Sequence, residues 1–299
     1  MKSLPSPADR DDTEPEPIPL ALAYRTCEDI VRSHDENFPV VSRLLTPARR
    51  HAVAAIYAFA RRADDVADSI APRRDRLDGL DRIEEALLAA LEGSPQGPIL
   101  TALADAVERH RLPVEPLLDL LAAFRRDARD ETFATWDDLL SYCRGSANTI
   151  GRLVLALHAI DDPTVIAESD AICTALQLTN FWQDLGRDLA RGRLFLPLED
   201  VRRFGLTPDG LTRPEAREAL TRLLAEECRA TRELFNRGAP IVRHVPGGLS
   251  LQLRATLAGG RTVLRAVERH GWEVLDRRPS LGRVARAGIV LKTLLRIDG

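Results

Sequence analysis

Gln177-Leu178-Thr179-Asn180-Phe181-Trp182-Gln183-Asp184-Leu185-Gly186-Arg187-Asp188 decides how this chain is read. Gln177, Asn180, Asp184 and Asp188 follow a 3-4-4 spacing, which on an α-helix aligns four oxygen-bearing side chains along one stripe. Leu176, Leu178, Phe181, Trp182, Leu185 and Leu189 populate the other faces. Amide and carboxylate groups on so apolar a helix are costly to bury unless something satisfies them. Two readings are open from the residues alone. The stripe holds a divalent cation, since Mg²⁺ takes oxygen ligands from one or two carboxylates completed by phosphate and water. Alternatively, it is ion-paired with Arg187, Arg191 and Arg193.

About 120 positions earlier stands a second acidic cluster, Ala63-Asp64-Asp65-Val66-Ala67-Asp68. Asp64 and Asp68 share a helix face at i, i+4, a spacing at which like charges mildly destabilise the helix. An apolar and aromatic turn, Ile56-Tyr57-Ala58-Phe59-Ala60, leads into it, as expected of carboxylates at the mouth of an apolar cavity. Arg61 lies one turn before the acids, where it either pairs with them or reaches an anionic ligand.

Helical periodicity runs from Ala21 onwards, with no strictly alternating stretches, and predicts an all-α protein. Helices are expected near 20–34, 47–70, 76–92, 97–110, 114–129, 136–158, 163–190, 213–237, 247–271 and 280–296. Thr46-Pro47 and Asp162-Pro163 each place an N-cap before a proline at the first helical position. No glycine- or serine-rich linker divides residues 20–299, which are read as a single domain. Residues 1–19, with five prolines and the acids Asp9, Asp11, Asp12, Glu14 and Glu16, read as a disordered leader. The alanines between Ala52 and Ala67, like Ala171 and Ala175, suit close helix packing, room for a long apolar ligand, or plain helix propensity.

Composition narrows the function. Lys plus Arg number 42 and Asp plus Glu 45, a net charge of −3 that gives no sign of nucleic-acid binding. Cys27, Cys143, Cys173 and Cys228 form no CxxC pair, so they are expected to be buried, inert thiols in a reducing cytoplasm. No signal peptide and no apolar run of spanning length is found, so any membrane contact is expected to be peripheral. His34-Asp35 and His51 do not have the spacing of an HD-type phosphohydrolase, and neither a dinucleotide fingerprint nor a P-loop is present.

Ser141-Tyr142-Cys143-Arg144-Gly145-Ser146-Ala147-Asn148-Thr149-Ile150-Gly151 lies between the two acidic clusters. Glycine costs about 1 kcal/mol relative to alanine in a helix, so Gly145 and Gly151 point to close helix packing or close approach of backbone to a ligand. Tyr142 is either a hydrogen-bond donor to a phosphate or a buried structural tyrosine.

With Tyr57–Asp68, Tyr142–Gly151 and Gln177–Asp188 in that order, the chain from Tyr24 to Leu295 resembles the squalene/phytoene synthase family. Within it, His34-Asp35-Glu36-Asn37-Phe38-Pro39-Val40 and Leu257-Ala258-Gly259-Gly260-Arg261 look like the hopanoid-pathway hydroxysqualene synthase branch. The resemblance implies a single-domain isoprenoid synthase fold with a central cavity between helices. It implies two or three Mg²⁺ ions held by Asp64, Asp68, Asn180, Asp184 and Asp188, with Arg61 and Tyr142 on a departing diphosphate. Phe38, Tyr57, Phe181 and Trp182 are expected to shape the cavity, and Gln177 or Asn37 to position water. The implied substrate is presqualene diphosphate, converted with water to hydroxysqualene without NADPH. Condensation of two farnesyl diphosphates is the alternative within the family, and a catalytically silent helical partner of a prenyl synthase the alternative outside enzymology. A sister prenyl synthase and a downstream oxidoreductase are the expected partners.

Overall fold

In the computed structural model, which describes residues 18–33 and 45–279, the caps foreseen at Thr46 and Asp162 start the two helices that matter most. The Thr46 hydroxyl accepts from the Arg49 amide at 3.4 Å and opens α2 (Pro47–Ala67). The Asp162 carboxylate accepts from the Thr164 and Val165 amides at 2.7 and 3.3 Å and opens α8 (Pro163–Ala190), 28 residues long. The remaining α-helices are α1 (Leu20–Ser33), α3 (Arg73–Leu91), α4 (Gly97–His110), α5 (Glu115–Ala128), α6 (Trp136–Cys143), α7 (Thr149–Leu157), α9 (Leu198–Arg203), α10 (Arg217–Gly238) and α11 (Gly247–His270). No strand occurs among the described residues, and the expected all-α class holds. The helix foreseen at 280–296 and most of the leader foreseen at 1–19 lie outside the described residues.

The predicted helix at 136–158 is interrupted by a π-helical turn, Arg144–Asn148. Hydroxyls bond back to carbonyls along it, Ser146 to Tyr142 at 3.1 Å and Thr149 to Gly145 at 3.0 Å. The buried Asn148 amide oxygen accepts from Thr174 of α8 at 2.9 Å. A wide turn of this kind is frequent at functional sites, and here it begins two residues after Tyr142. The helix expected from 213 starts at Arg217, because Pro214 first opens a 3₁₀ turn at Pro214–Ala216. Six-residue α9 is too short to have shown helical periodicity in the sequence.

Two apolar clusters make up the core. One gathers α1 to α5 around Phe59, Leu80, Leu103 and Leu121; the other joins α8, α10 and α11 around Trp182, Phe235 and Val263. In α2, Ala52, Ala54, Ala55, Ala58, Ala63 and Ala67 are all buried within the first cluster, where α1 and α4 pack closely on the helix. Small side chains here serve helix contact. The glycines behave alike: Gly145 faces Ala123 and the Asp119 carbonyl of α5, and Gly260 faces Phe235 and Leu176.

All four thiols lie within the described residues and none is in a disulfide. Burial pushes Cys27 up to about 11 and Cys143, Cys173 and Cys228 up to about 12, so they are inert as nucleophiles at neutral pH. None of the described helices is long and apolar enough to cross a membrane.

A Cβ at Gly151 would stand 2.6 Å from the Cys173 sulfur and 2.7 Å from the Ser169 hydroxyl of α8. Gly151→Val is therefore expected to destabilise the protein by about 1–3 kcal/mol through overpacking, read as a lower urea midpoint at unchanged slope.

Candidate active site

Helix α8 turns its polar stripe towards a cavity of about 270 Å³. Gln177, Asn180, Asp184 and Asp188 line one side, joined by Arg187 and Arg191 from the end of the same helix. Asp64 of α2 faces them, and Asp127 of α5, Tyr142 of α6, and Arg193 and Phe195 from the segment after α8 complete the wall. Seven of the candidate site residues named from the sequence thus meet in one pocket, Asp64, Tyr142, Gln177, Asn180, Phe181, Asp184 and Asp188, together with Arg187, Arg191 and Arg193, the arginines weighed as partners of the stripe.

Others stand apart from it. Asp68, one residue past the last turn of α2, is bound by Arg193 at 2.7 Å and approached by Arg191 at 3.9 Å. Arg61 pairs with Asp65 at 2.8 Å and Asp64 at 3.4 Å, so of its two alternatives the contact with the acids is realised. Tyr57 is half-buried and does not line the cavity, for it lies two turns, roughly 10 Å, before Asp64 on α2. Trp182 is wholly buried and donates from Nε1 to the Thr231 hydroxyl of α10 at 2.9 Å. One position beyond Phe181 is about 100° around the helix, which turns the indole into the core and away from the cavity. Asn37 and Phe38 lie outside the described residues.

The aromatic side of the pocket is a compact group. Phe181 and Phe195 stack with ring centroids 4.0 Å apart and planes within 3° of parallel, and Tyr142 lies 6.0 and 6.1 Å from them. The Tyr142 hydroxyl donates to Asp127 at 2.8 Å. Asp127 and Phe195 were not anticipated. Asp127 ends the run Arg125-Arg126-Asp127, which looks like a solvated helix end. Its signal was positional: it follows the buried Leu120 and Phe124 at i+7 and i+3, on the apolar face of α5.

Gathering these acids changes their protonation. Burial, with Asp68 close by, raises Asp64 from 3.8 to about 6. Burial, with Asp184 close by, raises Asp188 to about 7. Burial raises Asp127 to about 7, against the opposing hydrogen bond from Tyr142. The Tyr142 phenol is in turn held well above its ordinary value by burial and by Asp127. Arginines supply the counter-charge: Arg193 to Asp68, Arg187 to Asp184 at 3.5 Å, and Arg278 to Asp184 through both carboxylate oxygens at 2.5 and 2.9 Å. Nothing in the sequence around Arg278 marked it out.

Among the described residues, no three His, Cys, Asp or Glu side chains gather closely enough to hold an ion by themselves. The donor set still suits Mg²⁺, because that ion needs only one or two carboxylates when a phosphate-bearing ligand and water complete its shell. Asp64, Asp188 and the Asn180 amide oxygen face one space and belong to the hard-oxygen class it prefers. The ion-paired reading of the stripe is realised at Asp184 and leaves Asp188 with its proton affinity raised.

The squalene/phytoene synthase family model matches residues 31–285. The chain belongs to that family. It is 36% identical to a hydroxysqualene synthase of Zymomonas mobilis over 69% of each chain. It is 28% identical to a phytoene synthase of Arthrospira platensis over 88% of this chain and 89% of that one. The crystal structure of squalene synthase HpnC from Alicyclobacillus acidocaldarius superposes with a TM-score of 0.79 at 39% identity, over 86% of this chain and 97% of that one. The isoprenoid synthase fold expected from the sequence is thereby established. Squalene/phytoene synthases are prenyltransferase-type enzymes that act on prenyl diphosphates.

Because the folded state raises these carboxyl pKa values above 3.8, folding binds protons here. The stability they contribute is present at low pH and is lost as pH rises from about 4 to about 7. Asp127→Asn keeps an acceptor for Tyr142 and removes one such charge. Its melting temperature, compared with that of the parent protein, is expected to shift in the variant's favour between pH 5 and pH 8.

Proposed function

We propose that this protein converts presqualene diphosphate and water to hydroxysqualene and inorganic diphosphate, with Mg²⁺ as cofactor and without a reductant. The observation that carries this reading is the pocket that sets Asp64 opposite Asn180, Asp184 and Asp188 beside an aromatic wall. A cluster of acids, with Asp64 and Asp188 raised in proton affinity, has no use for a bare anion, but it suits an anion that arrives with cations. The similarity to a hydroxysqualene synthase at 36% identity supports the choice of reaction.

Chemically, the carbon–oxygen bond to the diphosphate breaks, with its electron pair leaving on oxygen. Water adds to the allylic or cyclopropylcarbinyl cation and surrenders one proton, so atoms and charge balance. Mg²⁺, when bound, would neutralise the growing charge on the leaving group. Asp64, Asp188 and Asn180 would hold it, with Asp184 and Asp68 once their arginines give way. Arg191 and Arg193 stand where guanidinium groups can donate to diphosphate oxygens. The stacked Phe181 and Phe195 offer an aromatic face against which a cation is stabilised. Gln177 has an amide in the same pocket and is assigned to orienting the water. We place the protein in the cytoplasm, at most peripheral to a membrane. An upstream prenyl synthase would supply its substrate, and an oxidoreductase would consume its allylic alcohol.

A second reading is condensation of two farnesyl diphosphates, favoured by the phytoene synthase similarity over 88% of the chain and by the 39% identical structure described as a squalene synthase. The purified protein with Mg²⁺ and presqualene diphosphate, assayed with and without NADPH, decides between them. A C30 alcohol formed at equal rates in both arms is the expected result. Squalene formed only with NADPH, or turnover of farnesyl diphosphate alone, moves the protein to the second reading. No metal-dependent diphosphate release from either substrate leaves it a silent partner.

Asp184→Asn keeps the helix and removes one oxygen charge from the stripe. Turnover is expected to fall roughly 10- to 100-fold or more at unchanged far-ultraviolet circular dichroism; an unaltered rate overturns the metal assignment.

A further inference from the structure

The segment that follows α8 brings Arg193 and Phe195 into the pocket and then forms α9, whose six residues are too few to hold a helix on their own. Its position is set by its neighbours. On one side the Leu198 and Glu199 amides donate to the Phe133 and Ala134 carbonyls at 2.9 and 3.1 Å, and the Glu199 carboxylate accepts from the Trp136 amide at 2.6 Å. On the other side α9 meets α10 acid to acid: the buried Asp200 is hydrogen-bonded to Glu227, which is 3% exposed. Leu196, Pro197, Leu198 and Glu199 are all that separate Phe195 from Asp200.

Carboxylates only accept, so a hydrogen bond between two of them requires a proton on one. The surroundings decide which. Arg203 donates to Asp200 Oδ1 at 2.6 Å and also reaches Glu226 at 2.8 Å, which keeps Asp200 ionised. Glu227 Oε1 is buried and meets no donor among the described residues, so the proton stays on Glu227. Glu226 and Cys228 on its own helix supply no positive charge, and Glu268 of α11 is already paired with Arg232 at 2.5 Å. Burial, with Asp200 beside it, raises the Glu227 carboxyl from 4.5 to about 9. Folding thus takes up a proton here: the stability it contributes is complete below 4.5 and is lost as pH rises to about 9.

We propose that Glu227 is a positioning residue: it keeps its carboxyl proton at neutral pH and donates it to Asp200, and this bond holds α9 where Arg193 and Phe195 complete the pocket wall. A hydrogen bond has a direction that an apolar contact lacks, so it fixes α9 along α10 as well as against it. The consequence for ligand binding rests on the reading of the cavity as a Mg²⁺–diphosphate site; the proton itself does not.

Infrared difference spectra of the full chain, parent minus Glu227→Gln, test the proton. At pH 7.5 the carbonyl stretch of a protonated carboxyl is expected in the parent alone, fading as pH rises through about 9; its absence at pH 7.5 overturns the proposal. Calorimetry with inorganic diphosphate at saturating Mg²⁺ tests the positioning. Glu227→Leu is expected to weaken diphosphate roughly 3- to 10-fold, whereas Glu227→Gln, whose amide still donates to Asp200, restores the affinity. Between pH 7.5 and pH 9.5 the parent is expected to lose affinity relative to the glutamine variant, a comparison that stands even if the leucine variant fails to fold. A glutamine variant as weak as the leucine one, or the same pH dependence in parent and glutamine variant, overturns the proposal and leaves the head-group reading intact. If the parent binds no diphosphate with Mg²⁺, the head-group reading falls, and amide exchange over residues 194–203 decides for α9. Exchange faster in Glu227→Leu than in the parent and Glu227→Gln supports the bond to Asp200; equal exchange in all three overturns it.

Discussion

Mutual repulsion among carboxylates is the constraint around which this protein is arranged. Asp64, Asp127, Asp184 and Asp188 line one cavity of about 270 Å³, with Asp68 tied to its wall through Arg193, and no fold gathers such charges without counter-charge or protons. Both are present. Arg193 and Arg278 take Asp68 and Asp184, while burial drives Asp64, Asp127 and Asp188 towards their neutral forms. A site prepared in this way gains most from a ligand that brings positive charge with it.

Holding the acids in place falls to α8. Its stripe of Gln177, Asn180, Asp184 and Asp188 faces the cavity while Leu178, Trp182 and Leu185 are buried in the cluster shared with α10 and α11. The hydrogen bond from Trp182 to Thr231 and the Asn148–Thr174 bond to the π-helical turn fix the helix against rotation about its axis. A small rotation would carry the stripe out of register with Asp64. The second long helix, α2, is held by an alanine-rich face whose small side chains leave little freedom to slide.

Tyr142 links the two ideas. It stands just before the π-helical turn, bonds Asp127, and borders the stacked Phe181–Phe195 pair, so the charged and aromatic sides of the pocket meet at a single side chain. A leaving anion and a carbon skeleton that becomes cationic need those two surroundings side by side.

The amino-acid sequence by itself determined the helical class, most helix boundaries, and the stripe on α8, because these rest on spacing within one element and on local caps such as Thr46 and Asp162. It also carried the family, through three motifs in order. Which side chains share a cavity was decided only by tertiary structure. Phe181 and Trp182 are neighbours in sequence, yet one faces the pocket and the other the core. Asp127, Phe195 and Arg278 entered the site from segments whose local patterns read as a helix end, an apolar run and a charged tail. Their roles come from contacts to residues as much as 94 positions away in the sequence, and one-dimensional periodicity holds no information about contacts between elements.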